Sequence, residues 1–351
     1  MARRRLNLGG ARGRAAGLLA AVTATVGLVA GCGSVIAPKA AGGAMPAQVN
    51  WLIYHQGNLY GIALEKGWLK QTFPHTHFNL LAGSGASPTL AAFESGSVDI
   101  GELGSPPTAV ALAAGNAPMK VFWVLSGVTT SEALVVRTSE HITSAQGLRG
   151  KAVGVPPAST SEYALIGYLA LHGMTEKDIK LVYGTPQDLS AAWSRGALDA
   201  MYTWQPFQQQ ALNDGGTRLV DTAQLTPTGW GSTNLELVRT AFADKYPAFM
   251  KKFVQLMQRC YLYWRSNPAQ ADAAMGKWLG MTSAQVKVLL TGYQYVSTTA
   301  AKTSQWLGGG AAGVIGQELL KTGQVWHSLG RIPVAPTKAE IDAGITTEFL
   351  P

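Results

Sequence analysis

Short apolar runs of strand length alternate with longer stretches at helical spacing through most of the chain. The runs include "NWLIYH" (50–55), "EALVVR" (132–137), "KAVGVP" (151–156) and "LELVR" (235–239). Between them lie stretches such as "SEYALIGYLALHG" and "YPAFMKKFVQLMQRCYLYWRS". Strands separated by helices predict parallel sheets with βα crossovers, and ligands of such sheets bind outside the carboxyl ends of the strands. Three small-residue turns fall at such ends, at 84–89, 104–108 and 157–162. A glycine- or serine-rich turn that opens a helix leaves backbone N–H groups without intrahelical partners, and such groups suit an anion.

The pattern repeats. "AAFESGSVD" (91–99) and "AAWSRGALD" (191–199) share A-A-aromatic-x-x-G-x-aliphatic-D at an offset of 100 residues. Each predicts the end of a helix, a glycine cap and a short strand. Each strand then enters a turn, "GELGSPP" in the first half and "TWQPF" in the second. Two similar α/β halves with turns at their strand ends predict a ligand cleft between two lobes.

Composition bounds the class. A chain of 351 residues, 47% hydrophobic, can bury a large core. Its formal charge of +8 invites a nucleic-acid reading, but the surplus is local. Arg3, Arg4, Arg5, Arg12 and Arg14 all precede Cys32; without these five, 23 basic residues face 20 acidic ones, a net +3. No nucleic-acid partner is expected. The basic start followed by "AAGLLAAVTATVGLVA" (15–30) has the order of a secretory signal peptide, and its apolar run is shorter than the ~20 residues of a spanning helix. "LVAGC" resembles a bacterial lipobox, which implies lipidation of Cys32 and anchoring to the outer face of the cell membrane. An ordinary cleaved signal with an incidental cysteine is the alternative. Residues 1–31 are thus read as signal peptide and the Gly/Ala/Pro-rich 32–47 as a flexible tether. Cys260, the other cysteine, lies in an apolar helical stretch and is expected to be a buried, inert thiol.

Five segments carry a resemblance: "SGASPTLAAFESGSVDIGELGSPPTAVA", "SEALVV", "KAVGVPPASTSEYAL", "AAWSRGALDAMYTWQP" and "GWGSTNLELV". Their order is similar to that of the nitrate/sulfonate/taurine group of ABC-transporter substrate-binding proteins, most of all to its taurine-binding members. The similarity spans roughly residues 48–300. It implies a type II periplasmic-binding-protein fold: two α/β lobes, two crossover strands and a ligand cleft between them. "SEALVVR" and "NLELVR" resemble the crossovers, which places the first lobe at 48–135 and 236–351 and the second at 136–235. It also implies an extracytoplasmic receptor, monomeric, that hands its ligand to an ABC permease without catalysis.

Taurine joins a sulfonate to an ammonium, so its site needs an anion cradle at one end and a carboxylate at the other. For the cradle, "GSGASPT" offers Ser84, Gly85, Ala86 and Ser87, with Pro88 suited to a first helical turn; "PASTSEY" offers Ser159, Thr160 and Ser161; "LGSPP" offers Ser105. Any of these hydroxyls could instead cap its own helix. At the cationic end stand Glu132, which opens an otherwise apolar strand and matches a glutamate of the group, and Glu236 in "LELV". The resemblance places an aspartate at the second position, so Glu236 keeps the charge and moves it by one methylene. Either carboxylate could instead tie a hinge strand to a neighbour. Trp204 matches the group's W-x-P and offers an ammonium a π-face, or packs the hinge. Tyr54, His55 and Gln56 end the first strand, where the group places ligand contacts.

Other chemistries find no residues. The histidines are scattered, "HTH" (75–77) lacks carboxylate or cysteine company, and there is neither a phosphate-binding loop nor a spaced-glycine dinucleotide motif. No metal and no cofactor is expected. The same fold hosts a pyrimidine synthase and a sulfinate desulfinase, whose resemblance would imply a reactive cysteine or histidine cluster. A receptor for a plain alkanesulfonate or another small anion is the alternative within the class.

Overall fold

The structure, a computed structural model, describes residues 43–351. The expected signal segment, Cys32 and the tether up to residue 42 lie outside the described residues. The chain lays down β1 (Gln48–Ile53), β2 (His77–Ala82), β3 (Ile100–Gly104) and β4 (Met119–Val128) in a first sheet. It builds a second sheet from β5 (Glu132–Arg137), β6 (Ala152–Val155), β7 (Lys180–Tyr183), β8 (Ala200–Trp204) and β9 (Gly216–Asp221). It then returns to the first with β10 (Thr233–Arg239) and β11 (Tyr293–Tyr295). The strand orders are β11-β4-β10-β3-β1-β2 and β7-β6-β8-β5-β9. Setting the edge strand β11 aside, the two sheets follow one plan. Three parallel strands run second-first-third, and an antiparallel crossover strand separates the third from a further strand.

The exchange between sheets takes place between Val128 and Glu132 on the way out, and between Asp221 and Thr233 on the way back. Both lie ahead of the divisions at 135/136 and 235/236 read from the sequence. Glu132 already pairs with Trp204 in the second sheet, and Asn234 already pairs with Gly104 in the first.

The sequence repeat has a structural meaning. Helix Ala86–Glu94 ends with Gly96 at φ 72°, and helix Pro186–Ser194 with Gly196 at φ 77°. In each, the glycine N–H reaches back to an aromatic carbonyl (Phe93, Trp193) and the next N–H to an alanine carbonyl (Ala92, Ala192), the paired bonds of a Schellman cap. The aspartates then lock the sheets. Asp99 donates its backbone N–H to Asn50 and accepts the Asn50 N–H at 2.9 Å on its carboxylate. Asp199 does the same with Ala152, at 2.7 Å on its carboxylate. Their carbonyls accept the backbone N–H of Arg239 and Arg137, the last residues of the two crossover strands.

Each lobe has its own core. In the first, Trp51, Phe122, Phe249 and Phe253 lie fully buried between sheet and helices, with Cys260 in the same cluster. Burial pushes the Cys260 thiol up to about 12, so it stays protonated. In the second lobe both faces of the sheet are covered, with Leu134, Val136 and Tyr202 on one and Val135 and Met201, packed against the helix residue Trp193, on the other. A smaller cluster joins them: Trp326 and Ile332 near the C-terminus pack on Tyr163 and Ile166 of helix Thr160–Leu171. Beside it Arg331 donates to Glu176 and Tyr183, each at 2.6 Å.

Candidate functional site

The strand ends and helix starts of both lobes meet in a cleft of about 410 Å³ of empty space, its open mouth included. The first lobe supplies Tyr54, Gln56, Gly85, Ala86, Glu102, Leu103, Gly104 and Pro107; the second supplies Ser159, Thr160 and Trp204; the crossover strands supply Glu132 and Asn234. The lobes touch here. A Cβ on Gly104 would lie 2.4 Å from the Thr160 methyl, so any larger residue there would displace Thr160 or part the lobes.

One wall carries an uncapped helix start. Gly85, at φ 145° and ψ 173°, sits in a region that only glycine occupies readily, and it opens helix Ala86–Glu94 with no side-chain cap. The first backbone N–H groups of that nine-residue helix are therefore without a capping acceptor. Beside them the Tyr54 hydroxyl lies 3.1 Å from Thr89 Oγ1, whose own hydroxyl donates to the Gly85 carbonyl at 2.8 Å. Burial pushes the Tyr54 phenol up to about 12, keeping it a neutral donor.

Carboxyl groups line the rest. Glu132 is 4% exposed and accepts from Thr160 Oγ1 at 2.5 Å and Ser161 Oγ at 3.1 Å. Burial outweighs these bonds and raises it to about 7. Glu102, 2% exposed, accepts from Gln56 Nε2 at 2.7 Å and Asn58 Nδ2 at 2.6 Å. Burial pushes it up to about 8.

The expected residues separate into groups. Tyr54, Gln56, Gly85, Ala86, Glu132, Ser159, Thr160 and Trp204 line the cleft. His55 and Ser84 are exposed and line an adjoining hollow of about 580 Å³, which shares Tyr54, Gln56 and Trp204 with the cleft. The His55 ring is bound to the Trp278 carbonyl at 2.6 Å. Four others stand elsewhere. Ser87 is exposed outside both hollows. Ser105 is fully buried, donating to Glu318 and accepting the Thr233 N–H at 3.1 Å. Ser161 is fully buried behind Glu132. Glu236, 1% exposed, accepts the Trp51 indole N–H at 2.8 Å and lies behind Glu102 rather than on the cleft wall. Ser159, although on the wall, caps its own helix by accepting the Glu162 N–H.

Sequence reasoning missed Glu102 and Asn234. The signal for Glu102 was present, since "IGELG" holds one carboxylate in an apolar strand, as "EALVV" does. Asn234 occupies on β10 the place that Glu132 holds on β5, opposite the last residue of the neighbouring strand. Among the described residues, no group of three or more His, Cys, Asp or Glu side chains could hold a metal ion. No helix among them is long and apolar enough to cross a membrane.

Comparison with known proteins places this architecture. The NMT1/THI5-like family model matches residues 55–271. The chain is 32% identical to the taurine-binding periplasmic protein of Escherichia coli K12 over 257 residues, covering 71% of this chain and 77% of that one. It is 28% identical to a putative aliphatic sulfonates-binding protein of the same organism, covering 65% and 70%. Among solved structures, the alkanesulfonate-binding protein SsuA from Xanthomonas axonopodis pv. citri, bound to MOPS, superposes with a TM-score of 0.73 at 19% identity, over 87% of this chain and 99% of that one. The two sheets and their exchange of strands are those of the type II periplasmic-binding fold. The chain belongs to the NMT1/THI5-like family, within the nitrate/sulfonate/taurine group of substrate-binding proteins.

Proposed function

We propose that this protein is the lipid-anchored extracytoplasmic receptor of an ABC importer and that it binds taurine or a related aminosulfonate. One observation carries the reading: a single cleft joins an uncapped helix start at Gly85–Ala86 to the carboxyls of Glu102 and Glu132. A sulfonate stays ionised at physiological pH, so its lost water must be replaced by hydrogen bonds. Backbone N–H groups at a helix start, joined by the Tyr54 hydroxyl when it turns from Thr89, supply them without a full counter-charge. The carboxyls and the Trp204 ring take an ammonium at the other end. The similarity to a taurine-binding protein over most of the chain supports the same reading. Binding draws the lobes together over the ligand, and the closed form docks on the permease; no bond in the ligand is made or broken.

Calorimetric titration of the mature receptor tests this with taurine and with ethanesulfonate, which lacks the amine. The reading expects taurine to bind at about −8 kcal/mol or better, micromolar or tighter, and ethanesulfonate at least tenfold more weakly. Equal affinities would leave the anion cradle and remove the role of the carboxyls. The anchor is tested separately: Cys32→Ala moves the protein from the membrane fraction to the soluble one, and unchanged partition refutes lipidation there.

A further inference from the structure

The cleft's least expected feature is a pair of carboxyls on neighbouring strands. Glu102 on β3 is the direct cross-strand partner of Glu236 on β10, so both side chains leave the same face of the sheet side by side. Both are almost fully buried. Among the described residues, no Lys, Arg or His forms an ion pair with Glu102, Glu236 or Glu132. The other titratable groups facing the pair are neutral phenols, Tyr54 and Tyr60 from the β1 side and Tyr293 and Tyr295 from β11, with the carboxyl of Glu132 on the same cleft wall.

The frame does not require the pair. At the corresponding places of the second lobe, Tyr202 on β8 faces Leu134 on β5. The two members also differ in their bonding. Glu236 accepts a single donor, the Trp51 indole, and its Oε2 is buried with none. Glu102 has an amide donor on each oxygen and lines the cleft. Adjacent buried carboxyls cannot both ionise without a cation. Glu102, whose donors stabilise its anion, is the member prepared to ionise when a cation arrives.

We propose that Glu102 is protonated in the unliganded cleft and exchanges that proton for the cationic group of the ligand. On binding, the O–H bond of the Glu102 carboxyl breaks, the proton passes to the buffer, and the ammonium of the ligand takes its place against the carboxylate. Glu236 keeps its own proton throughout. The carboxyl end of the cleft then carries the same net charge before and after binding, with the sulfonate's charge left to the helix start at the other end, and the empty receptor avoids the cost of holding an uncompensated carboxylate. The raised positions of both carboxyls agree with this, Glu102 at about 8 and Glu236 well above the ordinary range, each chiefly through burial. This deepens the aminosulfonate reading and rests on it.

The test is calorimetry of the mature receptor at pH 7 in phosphate and in Tris, whose ionisation enthalpies differ, so that the heat difference counts protons. Taurine is expected to release about one proton per molecule bound, and its affinity to rise about tenfold from pH 6 to pH 7. Ethanesulfonate is expected to release none at Glu102. Glu102→Gln removes most of the release, leaving the smaller share that Glu132, raised to about 7, gives up. Glu132→Gln, which removes the other cleft carboxyl, keeps most of it. Taurine binding without proton release, or a release lost in Glu132→Gln, overturns the proposal while leaving the receptor reading intact. Failure of wild type to bind either sulfonate overturns the receptor reading itself, and the exchange with it.

Discussion

In the first lobe Glu102 stands opposite Glu236; in the second the same two places hold Tyr202 and Leu134. In the first lobe helix Ala86–Glu94 starts uncapped at Gly85, whereas in the second helix Pro186–Ser194 is capped by Thr185, which accepts the Asp188 N–H. The aspartate locks, the Schellman caps and the crossover arginines are common to both. What the lobes share is therefore the frame, and what they do not share gathers at the cleft. The second lobe shows how the frame looks when a site makes fewer demands on it: apolar residues face each other across the sheet, and a helix start satisfies itself. The largest of these differences, at Glu102 and at Gly85, fall on the cleft wall.

Replacing Glu236 by the leucine of the second lobe tests this most strongly. A carboxyl whose folded pKa is raised is protonated when folded and ionised when unfolded, so the unfolded state binds fewer protons and stability falls with rising pH. That loss begins near the ordinary carboxyl value of 4.5 and continues up through the raised one. Glu236→Leu lacks the loss. It is expected to be slightly less stable than wild type near pH 4, where the Trp51 indole has lost its acceptor, and up to about 4 kcal/mol more stable at pH 8. Urea midpoints at the two pH values decide; a constant difference means that Glu236 titrates alike folded and unfolded.

The shared frame is next. Asp99 is 5% exposed and carries both the Asn50 N–H and an ion pair with Arg239 at 2.5 Å. Asp199 carries the Ala152 N–H, while Arg137 donates to the Leu198 and Trp193 carbonyls instead. Asp99→Ala should then cost about 3 kcal/mol and Asp199→Ala about 1–2 kcal/mol. Equal losses would show that the Arg239 pair adds nothing to the lock.

At the cleft, Glu132 and Asn234 hold corresponding places, one a carboxyl and one an amide. Glu132→Gln makes them alike and is expected to weaken taurine by about 10- to 100-fold, the value of a charge-assisted bond, while ethanesulfonate changes little. Equal losses for both ligands in titration would assign Glu132 to the hinge instead.

Most of the frame could be read from the chain because its signals are local. Glycine caps, the aspartate after each, and apolar runs of strand length all act within a few residues, so the repeat at 91–99 and 191–199 exposed both lobes at once. The site was less legible because its partners are distant. Ser105 resembles any helix-start donor until Glu318, 213 residues later, accepts its hydrogen bond. Glu236 resembles a ligand carboxylate until the fold turns it toward Trp51, 185 residues away. Glu102 lies in the strand that follows the repeat, which reads as frame. Its importance appears only when the second lobe shows a tyrosine at the same step.

The finest form of the comparison is between the two helix starts. Thr185→Ala removes an N-cap and should cost about 1 kcal/mol with no effect on either sulfonate. Gly85→Ala meets no obstructing atom, since the closest, on Pro88, is 4.0 Å from the added Cβ, but it forces a side chain into a backbone region that glycine alone favours. The expected cost is about 1–2 kcal/mol, relieved by turning the peptide that aims the first helical N–H groups into the cleft. Taurine and ethanesulfonate should then lose affinity together, because both present the same sulfonate. If Gly85→Ala destabilises the protein but leaves both affinities untouched, the uncapped start is a feature of the frame, and the anion is held elsewhere on the cleft wall.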